Sequence, residues 1–316
     1  MVYILFVVGF VFLIYGANFL VDGASSLAKK YNISNVVIGL TIVALGTSSP
    51  ELVVNLVASF QGNADVALGN IMGSNISNIL LILGISALIF PLTVNSNTKW
   101  KEVPLSILAA IVLYVATNDT FIDGHAASFV ARSDGIFLVA FFLLFMYYAF
   151  SIAHETGDEE FAIKVFPMWK SWLMILAGIA GLVLGGRWIV DGAVMIAANL
   201  GMSQALISLT IVAIGTSLPE LATCVVAAMK RNSDIVIGNV IGSNIFNIFF
   251  VLGTSAVIKP LPFNHTLNFD VYAGIAAAVL LFVFLFFPRK KILEKWQGGV
   301  LLLLYIAYIA ILVYKG

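Results

Sequence analysis

Cysteine is almost missing from this 316-residue chain. Cys224 stands alone, which excludes an internal disulfide framework and leaves too little thiolate for a cysteine-based metal site. Charge is scarce as well. Lys and Arg number 16, Asp and Glu number 16, and together they make up 10% of the residues with a formal net charge of zero. That balance gives no sign of a nucleic-acid partner. No Lys or Arg precedes the first apolar run, so the run lacks the charged start of a cleavable signal peptide and reads as a retained first helix. Alternating ten-residue strand patterns are absent too, which argues against a membrane β-barrel. Histidine occurs three times, as His125, His154 and His265, in connecting segments where no metal site is expected.

Apolar residues are what the chain has in abundance. They reach 61% with a mean hydropathy of +1.06, well above the roughly 45–50% of soluble domains. Windows of about 20 apolar residues, each long enough to cross a bilayer, recur along the whole length. They predict an all-α polytopic membrane protein with ten spans, near 2–28, 34–60, 64–90, 103–118, 133–153, 171–199, 204–229, 234–258, 268–287 and 297–315. The longest connection, residues 154–170, is too short for a folded domain. It reads as a linker between two halves of five spans, 1–153 and 171–316.

In this ten-span arrangement twelve basic residues fall on one side: Lys29, Lys30, Lys99, Lys101, Lys164, Lys170, Lys230, Arg231, Arg289, Lys290, Lys291 and Lys295. Only Arg132, Lys259 and Lys315 fall on the other, and Arg187 lies within a span. The positive-inside rule then makes the linker cytoplasmic and both termini extracytoplasmic, as for a protein of the cell membrane, plasma or inner.

The two halves repeat each other. Residues 16–92 align with 185–261 at a constant offset of 169 without a gap, and 38 of the 77 pairs are identical. "GTSSPEL" answers "GTSLPEL", and "GNIMGSNISNI" answers "GNVIGSNIFNI". Five spans per half is an odd number, so the second half enters the membrane from the opposite side and the repeats are inverted. Inverted repeats with Gly/Pro-interrupted helices at matching positions point to a secondary transporter with its site near the midplane.

The repeated motifs place costly groups inside the membrane. Glu51 and Glu220 are carboxylates in otherwise apolar spans, where a charge is expensive. Gly46, Pro50, Gly215 and Pro219 weaken the helical ladder and are expected to free carbonyls around Ala44, Thr47, Ala213 and Thr216. Thr47, Ser48, Thr216 and Ser217 add hydroxyls. Ser74 and Asn78 are i, i+4 and share a helix face, as do Ser243 and Asn247. The ligand set is almost all oxygen, without His or thiolate, which argues against zinc, copper or iron. Calcium takes six to eight oxygen ligands, two glutamates would neutralise one Ca²⁺, and sodium suits the same carbonyls and hydroxyls. A structural pairing of each glutamate is the blander reading, but it does not explain duplication beside Gly-Thr-Ser. Asn75 and Asn244 are assigned to helix–helix hydrogen bonds, Cys224 to a small buried position, and Asp22 and Asp191 to capping or interface exposure. Arg187 stands i, i+4 before Asp191 and can pair with it. Trp188, Trp296 and Tyr314 read as interfacial anchors.

The two "GTS(S/L)PE" and two "GN(I/V)(M/I)GSNI(S/F)N" motifs resemble the paired α-repeats of the sodium/calcium exchanger family, within the cation/calcium antiporters. The resemblance covers the whole chain, with motifs over 39–84 and 208–253. It implies a ten-helix prokaryotic-type antiporter with discontinuous helices around a midplane site. It also implies that Glu51 and Glu220 are the central calcium and sodium ligands. Thr47, Ser48, Ser74 and Asn78, with Thr216, Ser217, Ser243 and Asn247, are the adjacent ligands, and Ala44 and Ala213 carry sodium-holding carbonyls. The first and sixth helices are expected to slide across a rigid core. Several microbial and potassium-dependent members have Asp where this chain has Asn247, which weakens the case for potassium coupling. The acidic "GNATE"-like ending of the proton-coupled branch is absent, and seventeen residues of linker hold no regulatory domain.

The expected function is electrogenic, K⁺-independent exchange of Na⁺ for Ca²⁺ by alternating access, with no prosthetic group and a complete site in one chain, hence a functional monomer. Exchange of Ca²⁺ or another divalent ion for protons is the alternative. A passive channel would build its glutamate ring from symmetric subunits, and an intramembrane enzyme lacks a Ser/His or metal-ligand constellation.

Overall fold

The computed structural model describes residues 2–96, 98–122, 124, 127–153, 164–199, 213–286 and 292–315. His125, His154, Arg289, Lys290, Lys291, most of the linker and the first part of the expected span 204–229 lie outside the described residues. Helix α1 is Val2–Tyr31. The second span is broken into α2, Asn35–Thr47, and α3, Ser49–Gln61, which meet at 47°. Then follow α4 (Ala64–Ile89), α5 (Thr98–Thr117) and α6 (Arg132–Ser151). The second half begins with α7, Met168–Asn199. A short α8, Ala213–Thr216, leads into α9, Leu218–Met229. The last three are α10 (Ser233–Ile258), α11 (His265–Phe284) and α12 (Lys295–Lys315). Among the described residues eight helices are long and apolar enough to span a bilayer, and the bent pair makes a ninth. Helix α9 is the described end of the remaining expected span.

Turn chemistry repeats with the sequence. Asn63 caps α4 by accepting from Val66 N, and Asn232 caps α10 by accepting from Ile235 N, the side-chain oxygen satisfying an otherwise orphaned first-turn donor. The loops form two clips, β1 (Leu92–Thr93), β2 (Phe129–Val130), β3 (Leu261–Pro262) and β4 (Ile292–Leu293). Leu92 pairs with Leu293 and Val130 with Leu261, both antiparallel. Each clip ties the end of one half's third helix to the loop between the fourth and fifth helices of the other half.

Helices α4 and α10 run through the interior and are far more enclosed than the other spanning helices. Outside them, α1 and α7 pack along each other on glycines seven residues apart. A Cβ at Gly9 would lie 2.9 Å from the Gly185 carbonyl, one at Gly16 would lie 2.8 Å from Leu182 N, and one at Gly178 would lie 2.6 Å from Leu20 N. Small residues there let two backbones touch, the usual basis of helix association in lipid. The same pair is joined at one end by Ser26 Oγ and Ser171 Oγ, 2.8 Å apart.

Candidate cation-binding site

The break between α2 and α3 falls at Ser48 (φ −84°, ψ 9°), and the break before α9 falls at Ser217 (φ −85°, ψ 3°). Pro50 and Pro219 sit in the first turn of the following helix, where the missing N–H would be unpaired in any case. Glu51 and Glu220 therefore stand at helix N-termini, whose partial positive charge favours a carboxylate. Each accepts a hydrogen bond from its own backbone N–H. The break does not free the Ala44 carbonyl, which accepts from Ser48 N at 2.9 Å and lies 3.3 Å from Thr47 Oγ1. The backbone of Ala213 is helical, and its side chain lies outside the described residues.

The two halves meet at these breaks. Ser48 Oγ lies 2.8 Å from Glu220 Oε1 and 2.9 Å from Ser243 Oγ. A hydroxyl has one proton, so Ser48 donates to either the Glu220 carboxylate or Ser243 Oγ at any one time. On the mirrored side Ser74 hydrogen-bonds Glu51, and Ser217 Oγ is 3.5 Å from Ser74 Oγ. Glu51 and Glu220 are each 1% exposed and close enough to feel one another's charge. Neither pairs with a described Lys, Arg or His. Buried carboxylates without a cationic partner are costly.

Among the buried side-chain atoms without a hydrogen-bond partner in the described residues are Glu51 Oε2, Glu220 Oε2, Asn78 Oδ1 and Asn247 Oδ1. They are two pairs related by the 169-residue offset. Asn78 and Asn247 each open a π-helical turn, Asn78–Ile82 and Asn247–Leu252, a deformation common at functional sites. No group of three or more His, Cys, Asp or Glu side chains suited to a metal occurs among the described residues. With two carboxylates, two carboxamide oxygens and flanking hydroxyls, the arrangement matches hard cations such as Ca²⁺ and Na⁺.

Thr47 and Thr216 face a layer that the sequence did not single out. Thr47 Oγ1 donates to Asn239 Oδ1 at 3.0 Å, and Thr216 Oγ1 to Asn70 Oδ1 at 3.2 Å. Asn70 and Asn239 stand in the same repeated "GN" motif at the same offset, which is the signal that could have found them. Asn75 and Asn244 cross-link α4 and α10, Asn75 Nδ2 donating to Asn244 O at 3.2 Å and Asn244 Nδ2 to Asn75 O at 3.3 Å.

The sodium/calcium exchanger protein family model matches residues 1–151 and 170–314. A putative antiporter, CaxA, of Alkalimonas amylolytica is 40% identical over 95% of this chain and 95% of its own length. The sodium/calcium exchanger MaX1 of Methanosarcina acetivorans is 30% identical over 99% of this chain and 98% of its own. Among solved structures, the sodium-calcium exchanger NCX_Mj superposes with a TM-score of 0.84 at 33% identity, covering 98% of this chain and 97% of that one.

Proposed function

The chain belongs to the sodium/calcium exchanger family, and we propose that it exchanges Na⁺ for Ca²⁺ across the cell membrane by alternating access. The observation that carries this reading is that four buried oxygens, on Glu51, Glu220, Asn78 and Asn247, have no hydrogen-bond partner among the described residues. One Ca²⁺ neutralises the two carboxylates and uses the carboxamide oxygens. Sodium ions, held by the hydroxyls on each side, share the same glutamates. Calcium and sodium then exclude one another, because both together against two carboxylates would leave buried charge uncompensated. Where more than two Na⁺ balance one Ca²⁺, transport carries current. Asparagine rather than a third acid at 247 supports K⁺-independent exchange, and one chain supplies every ligand. Both termini face outside and the linker faces the cytoplasm.

Helices α1 and α7, packed as a unit on their glycines, are the elements proposed to slide across the core and expose the site to each side in turn. Flux into sealed vesicles containing the purified protein tests the reading. Calcium uptake should follow an imposed sodium gradient and ignore a proton gradient of the same direction. Uptake that follows the proton gradient instead would replace this reading with Ca²⁺/H⁺ exchange.

A further inference from the structure

Whether an asparagine attracts or repels a cation depends on which end of its carboxamide faces the ion. Asn78 Nδ2 donates to Asn244 Oδ1 at 2.9 Å, and Asn247 Nδ2 donates to Asn75 Oδ1 at 3.0 Å. Those two acceptors are in turn held in place. A backbone carbonyl can only accept, so the bonds from Asn75 Nδ2 to Asn244 O and from Asn244 Nδ2 to Asn75 O fix which end of each amide is nitrogen. The oxygens of Asn75 and Asn244 are thereby turned toward Asn247 and Asn78. These must answer with nitrogen, which leaves Oδ1 as the buried end without a hydrogen-bond partner among the described residues. Reversing either link would aim an N–H₂ group at the ion.

We propose that Asn75 and Asn244 are positioning residues that set the polarity of the cation site, Asn75 acting through Asn247 and Asn244 through Asn78. The inference rests on the exchange reading above and assigns to these two side chains more than the joining of helices. Both are buried, at 8% and 3% exposed, and both line a cavity of about 20 Å³ together with Ser106 and Asp270. It has room for a water molecule that can take up the second amide hydrogens, so the locked orientation leaves no donor stranded.

Calcium binding to the purified full-length chain in sodium-free buffer, measured by titration calorimetry, tests the pairing. Asn75→Ala removes the acceptor that orients Asn247 and should weaken binding roughly tenfold, the scale of one hydrogen bond to a charged group. A carboxylate has oxygen at both ends, so the same change made on top of Asn247→Asp should cost less than about twofold relative to Asn247→Asp alone. Asn244→Ala acts through Asn78 and should cost roughly tenfold in both backgrounds. Asn75→Leu, of similar volume, replaces Asn75→Ala where the latter is not monodisperse. Equal losses for the Asn75 change in the two backgrounds, or no loss in either, would overturn the proposal while leaving the exchange reading intact. Wild-type protein that binds no calcium would instead remove the exchange reading and this inference with it.

Discussion

The two halves of this protein use identical residue types at the candidate site and differ at several positions behind it. Glu51 and Glu220, Ser48 and Ser217, Ser74 and Ser243, and Asn78 and Asn247 are matched pairs. Behind them Asn55 is answered by Cys224, Gln61 by Lys230 and Gly62 by Arg231. The structure shows what each mismatch does. Asn239 Nδ2 donates to Cys224 Sγ at 3.3 Å, whereas Asn55 Oδ1 and Asn70 Nδ2 at the mirrored positions have no partner among the described residues. Lys230 Nζ reaches Asp22 Oδ1 of α1 at 2.7 Å, whereas Gln61 cannot form an ion pair. Asp191, the counterpart of Asp22, lies 3.8 Å from Arg187 on its own helix. The contrast teaches that the proposed cation chemistry draws on matched pairs across the two halves, while positions such as 55/224 and 61/230 serve local contacts and differ.

The strongest test of that comparison is to unbalance the pair of acids. Glu51→Gln and Glu220→Gln should each abolish sodium-dependent calcium uptake in vesicles while the proteins remain monodisperse, since each acid supplies charge as well as oxygen. Wild-type rates in either variant would show that the halves are not equivalent at the ion. A smaller effect is expected from Asn247→Asp, and likewise from its mirror, Asn78→Asp. Either adds a third carboxylate that must protonate or take another cation, so calcium transport should gain a dependence on pH and approach the parent's as pH falls and the added acid protonates. A flat profile over the range in which the parent is active would count against placement of these side chains at the ion.

Two further changes replace a residue by its mirror. Lys230→Gln removes the ion pair with Asp22 and should alter the transport rate by no more than about fivefold, because half-exposed pairs contribute roughly 0–1 kcal/mol. A complete loss of transport would mean that the contact governs motion of α1. Arg231 holds a left-handed conformation at φ 58°, where the first half has Gly62 at φ 78°. Arg231→Gly should shift the thermal midpoint upward slightly, by the equivalent of no more than about 1 kcal/mol. A lowered midpoint would show that the Arg231 side chain contributes more than its backbone strain costs.

Much of this was legible in the sequence, and what was not has physical causes. The ungapped repeat exposed the inverted architecture and the broken helices because Gly, Pro and Glu are conspicuous in apolar spans. Side-chain direction was less accessible. Asn70 and Asn239 bind the site threonines rather than merely lining helix contacts, and sequence spacing alone does not distinguish those roles. The Ala44 carbonyl stays within the helical ladder because the chain breaks at Ser48, one turn later. Glu102 carries no such sequence signal, yet it is fully buried and Tyr148 Oη donates to it. Asp270 Oδ1 similarly accepts from Tyr308 Oη at 2.8 Å. These acids lie beyond the ungapped alignment at an offset of 168, so a constant offset of 169 could not reveal them as counterparts. The two-residue clips between loops leave no periodic pattern from which to predict them.

One pair of carboxylates is proposed to serve both ions, and equilibrium competition measures that directly. Radioactive calcium bound to the purified protein should be displaced by sodium, with the apparent calcium affinity falling as sodium rises and the capacity at saturating calcium unchanged. Lithium or choline at the same ionic strength controls for screening. Calcium binding that stays the same at saturating sodium would contradict a shared site, whatever the vesicles transport.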